Sequence, residues 1–390
     1  MPTPPTPFQS DAIALMLHFA ERSGLSSSRP PQRYLWTDAF AVCNFLGLAR
    51  LTGEGRYREL ALLLVDQVHH VLGQQRVDSG HTGWLPGAEE SHPTRGGLRI
   101  GKTLPERRAG EPFDADLEWE RDGQYFHYLT KWMHALDQVA RSTGEPQFNL
   151  WARELAETAF AGFSHTPTEG GRRRLVWKMS VDLSRVLVPA MGQHDALDGF
   201  ITCAQLRPTA STCPDRPIGP DLEREAAAFA AMIKDGDWTT GDPLGIGGLL
   251  TDARRVHQLM GQEALEDDSL LAGLLVAALG GLEHYAGRND LRQPAARRLA
   301  FRELGLAIGL GAIGQIEMPE RATSSARRAG ILTHLQTLES YRSLGSAIES
   351  FWLDSAHRDN PTWSAHRDIN DVMLATAIVP DGFLELKPRQ

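Results

Sequence analysis

Ala49-Arg50-Leu51-Thr52-Gly53-Glu54-Gly55-Arg56-Tyr57 recurs further along the chain as Ala140-Arg141-Ser142-Thr143-Gly144-Glu145-Pro146-Gln147-Phe148. Each copy ends one apolar pattern of helical spacing and opens another. Before the second copy, Tyr125, Leu129, Trp132, Leu136 and Val139 fall on one helix face; after it, Phe148, Trp151, Leu155 and Ala159 do the same. Gly53 and Gly144 stand where a left-handed residue closes a helix, and Pro146 suits the first helical turn, where its missing N–H is not needed. The unit is helix, tight turn, antiparallel helix. A weaker third copy, Leu259-Met260-Gly261-Gln262-Glu263, separates an apolar segment at Leu249–Leu259 from another at Ser269–Tyr285.

Outward from these turns, the connections alternate in length. The turns are short, whereas the links between hairpins run roughly from Gln74 to Arg121, from Ser164 to Asp182 and from Asp235 to Pro243. One end of such a bundle is tight and the other carries loops, and loops on a rigid scaffold are where sites are usually built. A plain α-solenoid would have uniform loops and a stricter period. The pattern predicts an all-α fold, an (α/α)6 barrel or toroid of about six helical hairpins with long loops at one mouth. Residues 1–390 are expected as one toroid domain, with 74–121 as a long mouth loop or lid. Strand signals are scarce, and Arg174–Val181 is the best candidate for a short hairpin.

The pattern resembles the six-hairpin glycosidase-like (α/α)6 toroid superfamily: a tryptophan-bearing inner helix, a Thr-Gly-Glu turn, then an aromatic-led outer helix. The resemblance is clear over about residues 33–163, fainter over 183–287, and assigns no family within the superfamily. Members include glycoside hydrolases, unsaturated-uronyl hydrolases and sugar 2-epimerases, so the resemblance implies a small-molecule saccharide ligand more firmly than a reaction.

Composition narrows the partners. Hydrophobic residues make up 42% and charged residues 23%, enough apolar content for a sizeable core. The net charge of −9 lacks the basic footprint that phosphate backbones require, so no nucleic-acid partner is expected. The opening Met1-Pro2-Thr3-Pro4-Pro5-Thr6-Pro7 has no basic n-region, and Asp11–Ala20 behind it is too short to span a bilayer. Three cysteines, Cys43, Cys203 and Cys213, show no CxxC spacing and read as free thiols. A cytoplasmic protein without a membrane partner is the expectation; the oligomeric state is not readable.

Two nucleotide motifs occur in letter only. Gly96-Gly97-Leu98-Arg99-Ile100-Gly101-Lys102-Thr103 spells a P-loop, but Glu89–Arg95 before it is no core strand, and Pro105 and Gly110 bracket a charged segment after it. Gly309-Leu310-Gly311-Ala312-Ile313-Gly314 spells GxGxxG inside a helical pattern with no βαβ context, which close helix packing explains more simply. No HExxH or paired Cys/His spacing supports a metal, and no cofactor is expected.

Candidate chemistry comes from polar groups at the starts of the inner helices. Tyr34-Leu35-Trp36-Thr37-Asp38, Trp119-Glu120-Arg121-Asp122-Gly123-Gln124-Tyr125-Phe126-His127-Tyr128 and Gly192-Gln193-His194-Asp195-Ala196-Leu197-Asp198 place Asp38, Asp122, His127, His194 and Asp195 there as catalytic candidates. Two carboxylates across a sugar can divide acid and base work, the reading of a glycoside hydrolase acting on a sugar or sugar acid. A histidine acid/base pair would instead suit a sugar epimerase or isomerase. A non-catalytic toroid that binds a ligand or a protein is the third reading. Asp38 also fits a helix-dipole acid, and Asp122 before Gly123 a helix cap. Flat aromatic surfaces suit pyranose faces, so Trp36, Trp119, Tyr125, Trp177 and Trp238 are substrate-binding candidates, with Gln124, Lys178 and Arg99. The basic residues Arg95, Arg99, Lys102, Arg107, Arg108 and Arg172–Arg174 hint at an anionic ligand.

Overall fold

The computed structural model describes residues 6–167, 171–211, 218–234, 236–265, 267–288, 290–317 and 325–386. The chain runs through α1 (Pro7–Arg22), α2 (Leu35–Thr52), α3 (Gly55–Leu72), α4 (Ala115–Glu120), α5 (Phe126–Thr143), α6 (Pro146–Phe163), α7 (Asp195–Ser211) and α8 (Glu223–Ile233). It continues through α9 (Pro243–Gly261), α10 (Asp268–Ala286), α11 (Ala300–Ile313), α12 (Ser325–Glu339), α13 (Arg342–Leu353), the short α14 (Ser355–Arg358) and α15 (Pro361–Ala365), then α16 (Arg367–Ile378) and α17 (Asp381–Leu384). Strands are two or three residues long: β1 (Gln124–Tyr125), β2 (Ser164–His165), β3 (Arg174–Leu175), β4 (Lys178–Met179) and β5 (Val186–Val188). Two compact units emerge, one of Met1–Phe19, Gly47–Glu54 and Asp237–Leu386, the other of Ala20–Leu46, Gly55–Gly236 and Lys387–Gln390.

The repeated turn has a repeated hydrogen-bond set. Gly53 and Gly144 adopt φ of 72° and 79°, and their N–H groups reach Ala49 O and Ala140 O at 3.0 and 2.9 Å. Thr52 Oγ1 donates to Leu48 O at 2.8 Å and accepts from Glu54 N at 3.1 Å; Thr143 Oγ1 does the same with Val139 O and Glu145 N at 2.9 and 3.1 Å. Thr therefore satisfies an orphan carbonyl behind it and the amide ahead, while Gly carries the left-handed bend. The third copy is built differently. Gly261 is the last residue of α9, and the left-handed residue is Glu263 at φ 55°, with Ala264 N bonding back to Leu259 O at 2.9 Å.

In the unit containing α5–α8, α5 packs on α6 and α7, and α7 on α8. Trp132, Leu136, Phe126, Phe160, Phe163 and Phe229 fill the core between them. Each contributes roughly 1.5–3 kcal/mol by leaving water. A buried polar network ties the same helices: Asp137 accepts from Arg141 at 2.7 Å, Asn149 at 2.9 Å and Gln205 at 2.8 Å, while His134 Nδ1 meets Gln205 Oε1 at 3.1 Å. The segment 74–121 is anchored to this unit, with Leu98 and Ile100 fully buried, Thr94 Oγ1 bonded to Trp151 O at 2.7 Å and Arg95 paired with Glu154 at 2.8 Å.

In the other unit, α9 lies between α10 and α11, and α11 also meets α13 and α16. The GxGxxG stretch lies in α11 and its end. A Cβ on Gly309 would stand 2.5 Å from Gly247 O, and one on Gly247 would stand 2.0 Å from Gly305 O. These glycines let two helix backbones touch. Helix α10 is long and apolar enough to cross a membrane by length and composition, yet half of that window is buried against its neighbours, and Asp268 in its first turn pairs with Arg327 at 2.8 Å. Cys43 and Cys203 are buried and form no disulfide; Cys213, residues 1–5 of the amino-terminal stretch and Asp235 lie outside the described residues.

Candidate active site

The site grows from the entry to α5. Strand β1 pairs Gln124 with Met179 and Tyr125 with Lys178 on β4, and Tyr125, extended, becomes the N-cap of α5. A Cβ on Gly123 would stand 2.7 Å from Met179 O, so only glycine lets this strand approach. In the first turns of α5, Phe126 is buried in the core while His127, Tyr128 and Lys131 stay half-open. Helical spacing stacks Lys131 over His127. Across from them, the first turn of α7 carries Asp195 and Asp198 three residues apart. Lys131 Nζ holds both Asp198 oxygens, at 2.9 and 2.7 Å, and Thr130 Oγ1 donates to Asp198 at 2.8 Å.

Aromatic rings surround this junction. Trp177 lies 6.1 Å from His127 in a stacked pose, and Trp119 packs 5.4 Å from Trp177. Tyr125 sits between them, 5.4 Å from His127 and 5.6 Å from Trp177. Trp36 and Tyr34 close the other side against Tyr128 at 5.4 and 5.5 Å, and the Tyr34 and Tyr128 hydroxyls meet at 2.5 Å. Trp119 is 45% exposed, which leaves a ring face open to a ligand. The buried Trp36 indole N–H has no hydrogen-bond partner among the described residues, a donor left over in a wall of rings.

The electrostatics separate the titratable groups. Burial, together with the neighbouring Asp198, pushes the Asp195 carboxyl up to about 7 against the opposing pull of its one backbone donor, Gly192 N at 3.1 Å, and of Lys131. Asp198 differs in its partners, being gripped by Lys131 and Thr130. Burial drives His127 down to about 3, helped by Lys131. Trp177 Nε1 donates to His127 Nδ1 at 3.2 Å. An indole N–H can only donate, so Nδ1 is unprotonated and the ring carries its proton on Nε2. His127 is a neutral donor, not a base. Burial likewise raises the Tyr34 hydroxyl to about 12.

Not every candidate from the sequence gathers here. His127, Asp195, Trp36, Trp119, Tyr125 and Trp177 do. Asp38 is buried, its oxygens taken by Arg33 at 3.4 Å and by Tyr34 N at 2.9 Å. Asp122 caps no helix: it is fully buried and accepts from Arg99 at 2.6 Å, Arg76 at 3.3 Å, Gly101 N at 3.0 Å and Lys102 N at 3.4 Å, which clamps the 97–104 segment. Arg99 is spent on that bond and on Gln74 O and Val71 O at 2.8 and 2.5 Å. Gln124 uses its whole amide on Leu98 N, Gly96 O and Val181 O, at 2.9, 3.1 and 2.7 Å. Lys178 is fully buried on Glu118 and on the Glu118 and Arg121 carbonyls at 2.6 to 2.9 Å. These four side chains hold the walls rather than face a ligand. His194 sits in the turn before α7, where its carbonyl accepts Asp198 N–H at 2.9 Å. Trp238 belongs to the other unit, against Gly273 of α10.

Lys131, Asp198, Tyr34 and Tyr128 join the cluster without having been singled out for it, and Lys102, one of the basic residues read as hinting at an anionic ligand, joins it too. The signal for two of them was spacing: Lys131 is four residues after His127, and Asp198 three after Asp195. Among the described residues, no group of three or more His, Cys, Asp or Glu side chains is placed to hold a metal ion. A separate cavity of about 360 Å³ lies over Phe160, Ser164, Arg173 and Arg224, and shares no residue with the aromatic cluster.

No protein-family model and no curated protein sequence matches the chain. Among solved structures it is similar to the GH76 α-mannanase of Bacteroides thetaiotaomicron, at 9% identity and TM-score 0.57, covering 96% of each chain. It is similar also to the GH76 α-1,6-mannanase of Salegentibacter sp. HEL1_6, at 12% identity and TM-score 0.53, covering 95% of this chain and 98% of that one. A third match is an inactive variant of that mannanase, with two aspartates changed to asparagine, in complex with α-1,6-mannotriose; identity is 12%, TM-score 0.54, and coverage 96% and 99%. At such identities the likeness is one of fold alone: the chain has an all-helical (α/α)6 toroid fold.

Proposed function

We propose that the chain is a glycoside hydrolase acting on a saccharide held in the aromatic cluster, with Asp195 as general acid. One observation carries the reading: the first turn of α7 holds two carboxyls in unlike surroundings, Asp195 pushed up to about 7 by burial and Asp198 held by Lys131 and Thr130. Neighbouring acids whose environments split their pKa values are the usual basis of acid–base division in sugar cleavage. Asp195 would deliver its proton to the glycosidic oxygen as the bond to the anomeric carbon breaks. Asp198 would offset the positive charge that develops on the ring, and water would complete the hydrolysis. The exposed face of Trp119 and the neutral His127 N–H would seat the sugar. The fold supports the reading, since α-1,6-mannanases use it and one of them binds mannotriose in a variant inactivated at two aspartates. An epimerase working through a histidine pair fits less well, because His127 is neutral with Nδ1 occupied.

The test is turnover of α-1,6-mannan fragments, uronyl oligosaccharides and other neutral oligosaccharides, following reducing ends and epimers together. Reducing-end release that Asp195→Asn removes supports the proposal. Epimer formation without release, or saccharide binding without any turnover across the panel, overturns it.

A further inference from the structure

Lys102 is the odd cation of this site. Its ammonium lies 5.7 Å from the Tyr34 ring centre and 5.8 Å from that of Trp119. Among the described residues, no ion pair or side-chain hydrogen bond holds it. The basic groups around it are committed: Arg76 and Arg99 to Asp122, Arg107 and Lys178 to Glu118, Arg95 to Glu154, and Arg121 to Glu111. The acids Glu118 and Asp122 are consumed by the same pairs. Glu120, exposed, is the remaining acid near the Tyr34 and Tyr125 hydroxyls.

The backbone of Lys102 is clamped on both sides, its N–H by Asp122 at 3.4 Å and its carbonyl by Arg76 at 2.7 Å. A half-buried ammonium fixed against ring faces has given up part of its water without gaining a counter-ion, and ring quadrupoles replace only part of that hydration. An arriving anion would complete the pairing in an aromatic-walled, low-dielectric place.

We propose that Lys102 is the anion anchor of the site, and that the saccharide it selects carries a negatively charged group, a carboxylate or a phosphate. The inference rests on the reading of the cluster as a saccharide site. Within the broad basic patch suggested by the sequence it singles out Lys102, which stands against the rings, while Arg76, Arg95, Arg99, Arg107 and Arg121 of the 74–121 segment are paired with carboxylates.

The experiment is calorimetric or saturation-transfer NMR titration of the full chain with D-glucuronate, D-mannuronate and D-mannose 6-phosphate, alongside uncharged D-glucose and D-mannose. The wild type binds the charged sugars more tightly, and added salt erodes the difference. Lys102→Met weakens the charged sugars by about 10- to 100-fold, the range of a charge-assisted hydrogen bond, and leaves the uncharged ones unchanged. Lys102→Arg keeps most of the preference, and Glu120→Gln increases it. The uronate and phosphate arms decide which anion the site fits. Equal affinity for charged and uncharged sugars in the wild type overturns the inference, as does an equal loss for both in Lys102→Met. If Asp195→Asn abolishes turnover while Lys102→Met spares the charged sugars, only the anchor is overturned. If no saccharide binds at all, the reading of the site fails with it.

Discussion

Asp137 and Asp195 are both buried aspartates on packed helices of the same unit, and their carboxyls are shifted in opposite directions. Asp137, two-thirds along α5, accepts from Arg141, Asn149 and Gln205, and the arginine beside it holds its carboxyl below the usual range despite burial. Asp195, in the first turn of α7, has one backbone donor and an acidic neighbour, and rises to about 7. Burial penalises the charged form of both; the supply of donors decides which one ionises. A saturated carboxylate is a structural joint. A starved one is a store of protons.

The largest effect that would break this comparison is on turnover. Asp195→Asn should lower kcat by about 10²–10⁴-fold, the contribution of a general acid in the transition state, with no loss of melting temperature and a gain near neutrality, where the buried carboxyl costs the wild type stability. A variant that loses stability and keeps its activity would make Asp195 another joint. Next comes Asp137→Ala, expected to lower unfolding free energy by about 3–5 kcal/mol, since it leaves Arg141 buried without its partner. Urea denaturation reads this directly, and a loss below about 1 kcal/mol, the worth of an exposed pair, would show that the network is not shielded from water.

The pH dependence sharpens the contrast, because the two groups act in opposite windows. With a folded pKa raised to about 7 against an ordinary 3.8, Asp195 contributes stability below 3.8 that is lost as pH rises to about 7. With a lowered folded pKa, Asp137 contributes stability above 3.8 that is lost as pH falls through its folded value. Unfolding free energy measured against pH should therefore lose its decline between pH 4 and 7 in Asp195→Asn and part of its acid limb in Asp137→Ala. Identical profiles for both variants would deny the difference. Activity should fall on the alkaline side of about 7 as the acid form is depleted. The smallest effect belongs to the turns. Gly53→Ala meets nothing within 4 Å, so its cost is the left-handed backbone alone, roughly 1–2 kcal/mol in thermal or urea unfolding.

The helical hairpins were legible because their signals are local. Thr52-Gly53-Glu54 and Thr143-Gly144-Glu145 make every bond of the turn within five residues, and the apolar stripes of α5 and α6 repeat at the helical period. The third turn was legible as a turn but not in its geometry, since Glu263 rather than Gly261 takes the left-handed backbone. At the site, His127, Asp195 and the rings of Trp36, Trp119, Tyr125 and Trp177 could be picked out as polar or aromatic groups at helix starts. Asp122, Arg99, Gln124 and Lys178 carried the same signature and proved to be wall-builders. Nothing along the chain distinguishes a buried polar group whose partners are supplied from one whose partners are missing, because those partners lie twenty to sixty residues away, as Arg99 does from Asp122 and Glu118 from Lys178.

By itself, then, the sequence determined what short-range physics determines: the hairpin period, the turn chemistry, the all-helical class and the helix starts on which polar groups would gather. Tertiary structure alone decided which of those groups remain chemically available. It closed Asp122 with four donors, left Asp195 with one, paired Lys131 with Asp198 across α5 and α7, and set Lys102 against two rings with no counter-ion among the described residues. The reason is that the cost of burying a charge is set by the donors and acceptors that folding brings within about 3 Å, and those come from segments far apart in the chain.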